Sequence, residues 1–188
     1  MTDQAQAISV IKNGGLVVMP TDTIAGLVAS AFNQEVVEKI YKIKERDLDK
    51  PFIILISNIK DLEKFDIYPT TEQEKFLLTA WPGAVSVILK CPSDRFTYLH
   101  RGTGTLAFRL PALDTLKNLI EETGPLVAPS ANKQAQTPAQ NNSEARAYFG
   151  DLVGFYWPFE GGAGKPSTLI SLVDGVKIVR QGETEITV

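Results

Sequence analysis

The sequence predicts an α/β chain of the α+β type, a mixed β-sheet with helices packed against it. Three observations carry that expectation. Short apolar runs of strand length alternate with helix-period stripes over the first part of the chain, an Asp174-Gly175 turn flanked by apolar residues sets a hairpin near its end, and no repeat, heptad or linker interrupts the pattern. With 188 residues, 44% hydrophobic and 22% charged, the chain is expected to form one domain over residues 1–188. A domain of that size buries roughly 70% of its unfolded surface.

Ala7, Ile8 and Ile11 share one face of an opening helix, closed by Gly14-Gly15, where positive φ costs little. Leu16 to Met19 is a strand ended by Pro20, and the polar turn Thr21-Asp22-Thr23 leads to a second apolar run, Ile24 to Ala31. Asn33 caps the next helix. Its buried stripe is Val36, Val37, Ile40 and Ile43, and its solvent side pairs Glu35 with Lys39 and Glu38 with Lys42. After the charged stretch Lys44 to Lys50, the isoleucine-rich run Phe52 to Ile56 predicts a strand covered on both faces. Two short helices follow, the second opened by Thr71 and Glu74 in capping-box spacing and stopped at Trp81-Pro82-Gly83. Ala84 to Leu89 and Thr105 to Leu110 read as strands around a basic loop holding Arg95, His100 and Arg101. Leu113, Leu116 and Ile120 mark a helix stopped by Gly124, and Leu126 to Ala128 is a short strand running into Pro129-Ser130-Ala131-Asn132. The dozen Gln-, Asn-, Ala- and Pro-rich residues beyond predict a mobile loop, and Thr168 to Val173 with Val176 to Val179 form the hairpin.

Composition narrows the function. No run of 18 apolar residues occurs and the first residues lack a basic start followed by an apolar stretch, so neither a membrane span nor secretion is expected and a cytoplasmic location is. The single cysteine, Cys91, excludes an internal disulfide and a clustered cysteine metal site, and reads as a small buried side chain. A net charge of -3 argues against a surface that coats nucleic acid, yet leaves room for a local basic pocket. Gly161 to Lys165 resembles a phosphate-binding loop but fails its spacing, with Phe159 where the first glycine belongs and Pro166 where a magnesium-ligating hydroxyl belongs. His100, the only histidine, reads as an exposed loop side chain, and no nucleophile elbow exists. What remains is polar residues at strand ends and turns, where ligand sites of sheet proteins gather: Thr21 and Thr23, Lys44, Arg46 and Lys50, Arg109, Ser130 and Asn132. Each alone could cap a turn or face solvent, and their recurrence points to a shared anionic site.

At these residues the sequence resembles the YrdC-like threonylcarbamoyl-AMP synthases, in their single-domain kind. The resemblance is carried in order by Pro20-Thr21-Asp22-Thr23, Gly26-Leu27, Ile43-Lys44-Glu45-Arg46 with Lys50-Pro51, Trp81-Pro82-Gly83, Arg109-Leu110-Pro111, Pro129-Ser130-Ala131-Asn132, Ser167-Thr168 and Arg180-Gln181-Gly182. It implies a twisted sheet around a positively charged concave groove, and synthesis of threonylcarbamoyl-AMP and pyrophosphate from L-threonine, bicarbonate and ATP with Mg2+. The product would serve the threonylcarbamoyl modification of adenosine 37 in tRNA, completed by separate transferase proteins. By the family pattern Lys44, Arg46 and Arg109 are catalytic; Arg46, Lys50, Thr105, Ser130, Asn132 and Arg180 bind ATP; Thr23, Arg109 and Ser167 bind threonine; no protein-borne metal site is assigned. Ala25 stands where members commonly carry an aromatic residue in the small-substrate pocket. A paralogue that binds RNA or a nucleotide without synthase activity is the alternative.

Overall fold

Strand alternation sorts the apolar residues of this chain onto two faces of one sheet, seen in a computed structural model that describes residues 2–161 and 164–186. Among the described residues the strands are β1 (Val17–Met19), β2 (Gly26–Ser30), β3 (Ile53–Leu55), β4 (Val85–Lys90), β5 (Thr105–Arg109), β6 (Leu126–Val127), β7 (Phe155–Tyr156), β8 (Thr168–Ser171) and β9 (Lys177–Arg180). They run in the order β7-β1-β2-β6-β3-β5-β4-β8-β9. The pairs β1/β7, β3/β5 and β4/β8 are parallel and the rest antiparallel, which makes the sheet mixed as expected.

One face of the sheet, with Val17, Met19, Val28, Leu55 and Leu126, packs under α1 (Asp3–Lys12) and α5 (Asp114–Thr123) through Ala7, Ile11, Leu116, Leu119 and Ile120. The opposite face, with Val18, Leu27, Ala29, Ile54 and Phe108, meets Val36, Val37, Ile40 and Tyr41 of α2 (Gln34–Lys44). Leu77 of α3 (Thr71–Ala80) and Ala145 and Phe149 of α6 (Asn142–Phe149) join the same core. A single turn, α4 (Thr97–His100), precedes β5. No helix among the described residues is long and apolar enough to cross a membrane.

Four expectations change. The cap of α3 is Thr70 with Gln73, one residue before the Thr71 and Glu74 pair, because adjacent threonines offer two registers of the same spacing. Ile53 is only half-buried, so β3 is not covered on both faces. His100 is buried rather than exposed, since the basic loop folds back and its Nδ1 accepts the Gly102 and Gly104 amides at 3.1 and 3.4 Å. The residues after Asn132 do not hang free: Gln134 N donates to Lys44 O, Ala139 N donates to Ala131 O, and Asn141 then caps α6.

Candidate functional site

The two helices on the α1/α5 side do not cover the whole sheet. Over β3, β5, β4 and β8 the same side carries Ile53, Ala107, Ile88 and Leu169, with Ile53, Ala107 and Ile88 in register across neighbouring strands. These half-buried residues floor a cavity of about 290 Å³. Its walls are Thr21 and Thr23 before β2, Arg46 and Phe52 between α2 and β3, Ser130 after β6, Ser167 before β8, and Arg180 at the end of β9. A second cavity of about 120 Å³, lined by Lys44, Arg46, Lys50, Ser130, Asn132, Gln134 and Ala135, shares Arg46 and Ser130 with the first. Every one of the sequence-predicted site residues, Thr23, Lys44, Arg46, Lys50, Thr105, Arg109, Ser130, Asn132, Ser167 and Arg180, lines one cavity or the other.

Two glycines bring distant segments this close. A Cβ on Gly164 would lie 2.3 Å from Thr23 O, and one on Gly182 would lie 2.1 Å from Pro166 O. Only a residue without a side chain lets the backbone before Ser167 approach the Thr23 turn and the chain after β9 approach Pro166. Of the glycine-rich stretch 161–165, Gly162 and Ala163 lie outside the described residues.

Lys44, at the last turn of α2, is 2% exposed. Its Nζ donates to the main-chain oxygens of Ser130 and Asn132 and, at 3.3 Å, to Asn132 Oδ1. An ammonium has three donors, and three acceptors face this one. Burial, with Arg46's like charge behind it, pulls its pKa down to about 7. Ser130 Oγ donates to Asn132 Oδ1 at 2.6 Å, and Asn132 Nδ2 donates to Gln136 O, so the turn after β6 is closed on itself and braced from α2. Arg46 and Lys50 lie just past the helix: Arg46 Nε donates to Lys50 O at 3.1 Å, and Lys50 pairs with Asp47, leaving both cations at the cavity mouth.

Arg109 ends β5 and is 5% exposed. Its Nη1 donates to Thr23 Oγ1 at 2.8 Å and its Nη2 lies 3.1 Å from Asp22 Oδ1 in an ion pair. Arg109 Nε, also buried, has no hydrogen-bond partner among the described residues. Burial lowers the Arg109 pKa, Asp22 opposes that, and the like charge of Arg180 adds to it. Asp22 Oδ2 accepts the Ala112 amide at 3.2 Å, so this carboxylate shapes the turn and neutralises Arg109. Ser167 Oγ shares a 2.8 Å bond with Ser86 Oγ of β4, and its carbonyl accepts Arg180 Nη2 at 2.9 Å.

Sequence reasoning missed Phe52, Ser86 and Thr103. Phe52 and Ser86 looked like ordinary strand interior, and Thr103 like part of a glycine turn; the alternation that puts Ser86 on the face of Leu169 was the available signal. Ala25 is 2% exposed and is not among the residues lining either cavity. No group of three His, Cys, Asp or Glu side chains that could hold a metal stands among the described residues.

The profile of the Sua5, YciO and YrdC family, described as telomere recombination, matches residues 9–182. A threonylcarbamoyl-AMP synthase of Pseudoalteromonas translucida is 30% identical over 93% of this chain and 97% of its own length. The chain belongs to the YrdC/Sua5 family of threonylcarbamoyl-AMP synthases. Within the YrdC/Sua5 family, the Bacillus subtilis synthase is 35% identical over 93% of this chain and 51% of its own length, so the chain spans about half of that relative. P. abyssi Sua5, solved in complex with L-threonine, superposes with a TM-score of 0.86 at 29% identity over 96% of this chain and 54% of that one. Escherichia coli YciO, at 21% identity and a TM-score of 0.86 over 97% of this chain and 90% of that one, shows the shared YrdC/Sua5 fold alone.

Proposed function

We propose that this chain is an L-threonylcarbamoyladenylate synthase, converting L-threonine, bicarbonate and ATP to threonylcarbamoyl-AMP and pyrophosphate for tRNA modification at adenosine 37. The observation that carries the reading is the meeting of Arg46, Arg109 and Arg180, from three parts of the chain, around one cavity floored by the bare face of the sheet, with Lys50 lining the adjoining cavity that shares Arg46. In this reading Thr23, Arg109 and Ser167 receive threonine, the Arg109 guanidinium matching its carboxylate. Arg46, Lys50, Thr105, Ser130, Asn132 and Arg180 surround ATP, forming a positively charged concave groove. The threonine amine takes up the carbon of bicarbonate with loss of water to become a carbamate, whose oxygen attacks the α-phosphorus while pyrophosphate leaves. That step needs positioning and charge stabilisation more than a protein nucleophile. Arginine grips phosphate or carboxylate through two N–H groups, which suits Arg46 to the charge that builds up, while Arg109, its charge already answered by Asp22, orients threonine. Lys44 acts from behind, holding the Ser130-Asn132 turn against the nucleotide.

Asp22 is committed to Arg109 and the Ala112 amide, so in this reading Mg2+ enters with the nucleotide substrate rather than on a carboxylate among the described residues. In this reading residues 1–188 fold as one domain that works in the cytoplasm and hands threonylcarbamoyl-AMP to transferase partners. Ala25, standing where members commonly carry an aromatic residue, is the feature that favours the RNA- or nucleotide-binding alternative, and the presence of Lys44, Arg46, Ser130 and Asn132 together at the adjoining cavities is what favours the synthase.

Mass spectrometry of the protein incubated with ATP, Mg2+, bicarbonate and threonine, with serine and with no amino acid as controls, tests the reading. Threonylcarbamoyl-AMP forming with threonine, and falling at least about tenfold in Arg46→Ala and Lys50→Ala, is the expected result. No adduct from folded, ATP-binding protein overturns the synthase assignment, and unchanged turnover in both variants overturns the site.

A further inference from the structure

Behind Arg46 lies a column of side chains that forms no part of either cavity until it reaches Phe52. The Arg46 guanidinium lies over the Phe52 ring, 5.3 Å from its centroid. Phe52 stacks on Tyr41, with centroids 4.1 Å and planes 24° apart, and the Arg101 guanidinium lies 4.0 Å from the Tyr41 centroid. Two groups in van der Waals contact with the centre of one ring cannot share a face, so Phe52 and Arg101 occupy opposite faces of Tyr41. Tyr41 is 2% exposed.

A second link runs beside the stack. Tyr41 Oη donates to Lys50 O at 3.1 Å, and Arg46 Nε donates to the same oxygen at 3.1 Å, so one carbonyl accepts both. At the far end Arg101, in the left-handed position that caps α4, donates to Glu38 of α2 at 2.8 Å, one turn before Tyr41. Arg101 Nε and Nη2 are buried without hydrogen-bond partners among the described residues, so the ring and Glu38 are what hold the guanidinium. The contacts therefore pass from the end of α4 through α2 to the segment carrying Arg46. An arginine fixed by a planar face and by its Nε meets an anion with less ordering left to do than one on a free stem.

We propose that Tyr41 and Arg101 are positioning residues for Arg46, fixing the Phe52 ring and the Lys50 carbonyl on which its guanidinium lies and so raising affinity for a nucleoside triphosphate. This rests on the reading of Arg46 as an ATP contact, and the test separates the two.

The experiment measures the ATP dissociation constant by calorimetry, and kcat and KM by product formation, for the full chain and for Arg101→Met, Arg101→Lys, Tyr41→Phe and Arg46→Ala, each checked by thermal melting. Arg101→Met is expected to raise the dissociation constant and KM about three- to tenfold with kcat within about twofold, and Tyr41→Phe, which keeps the stack, about two- to fivefold. Arg101→Lys, which keeps a cation over the ring and a partner for Glu38, recovers most of the loss. In the Arg46→Ala background neither Arg101→Met nor Tyr41→Phe weakens binding further. Wild-type affinity in Arg101→Met and Tyr41→Phe, while Arg46→Ala binds poorly, overturns the positioning role; so does an equal loss with and without the Arg46 side chain. Wild-type protein that binds no ATP overturns the nucleotide reading itself and this proposal with it, a result told apart by the absence of any Arg46→Ala effect.

Discussion

Lys44 has spent its donors on Ser130 and Asn132, so its charge bears on stability before it bears on any ligand. Its folded pKa of about 7 lies below the ordinary lysine value of 10.5. Below pH 7 the lysine is protonated whether the chain is folded or not; between pH 7 and about 10 the unfolded chain holds the extra proton, so stability gained by the folded state rises with pH. Urea titrations of wild-type protein and Lys44→Met should therefore diverge in favour of wild type by about 1 kcal/mol per pH unit from pH 7 to 9, the other ionisable groups cancelling in the difference. A difference that stays flat over that range would show that Lys44 keeps an ordinary pKa. Arg109 and Asp22 make the opposite case, a buried pair in which each charge answers the other. Asp22→Asn leaves a buried guanidinium with the Thr23 hydroxyl and no counter-charge, and is expected to cost about 3 kcal/mol of unfolding free energy, read from the shift in urea midpoint. A loss under about 1 kcal/mol would mean that water already screens the pair.

At the scale of elements, what could be read from the sequence followed from how strongly each segment repeats its pattern. The stripe Val36, Val37, Ile40 and the cap at Asn33 announced α2, and Asp174-Gly175 announced β8 and β9, because these signals are local. Asn33 Oδ1 accepts Val36 N at 3.1 Å, and Asn33→Ala is expected to lower stability by about 1 kcal/mol in thermal or urea melts. Helix α6 was missed because only Ala145 and Phe149 of its eight residues are buried, too few to show a period. Its start was nonetheless written in Asn141 and Glu144, where Asn141 Oδ1 accepts Glu144 N and Glu144 Oε2 accepts Gln140 N. Strand β7 has two residues and exists only because β1 lies beside it, a pairing across the whole chain that no local pattern carries. The site divides in the same way. Its cations and hydroxyls were legible as motifs at element ends, whereas Phe52, Ser86 and the bare strip of Ile53, Ala107 and Ile88 emerged only from strand order and register. The closeness of Gly182 to Pro166 is likewise a product of the hairpin's return.

The whole molecule carries a net charge of -3 yet gathers Lys44, Arg46, Lys50, Arg109 and Arg180 around two adjoining cavities. Most of that charge is committed: Lys44 to carbonyl oxygens, Arg109 to Asp22, and Lys50 to Asp47 in an exposed pair of little strength. Arg46 and Arg180 have no ion pair among the described residues. A site with about two cations to spare matches one nucleotide, while a nucleic-acid groove needs contacts with many phosphates in succession. The salt dependence of RNA binding measures that number directly. With about two phosphate contacts to a single strand, raising salt from about 50 to 200 mM weakens binding roughly sevenfold, against roughly three-hundredfold to more than ten-thousandfold for six to ten contacts. We expect an unstructured RNA oligonucleotide, followed by fluorescence anisotropy, to show at most the smaller loss and to be displaced by ATP. A thousandfold loss with no displacement by ATP would place RNA on a broad basic surface away from the cavities, and would show that the overall negative charge conceals a second face.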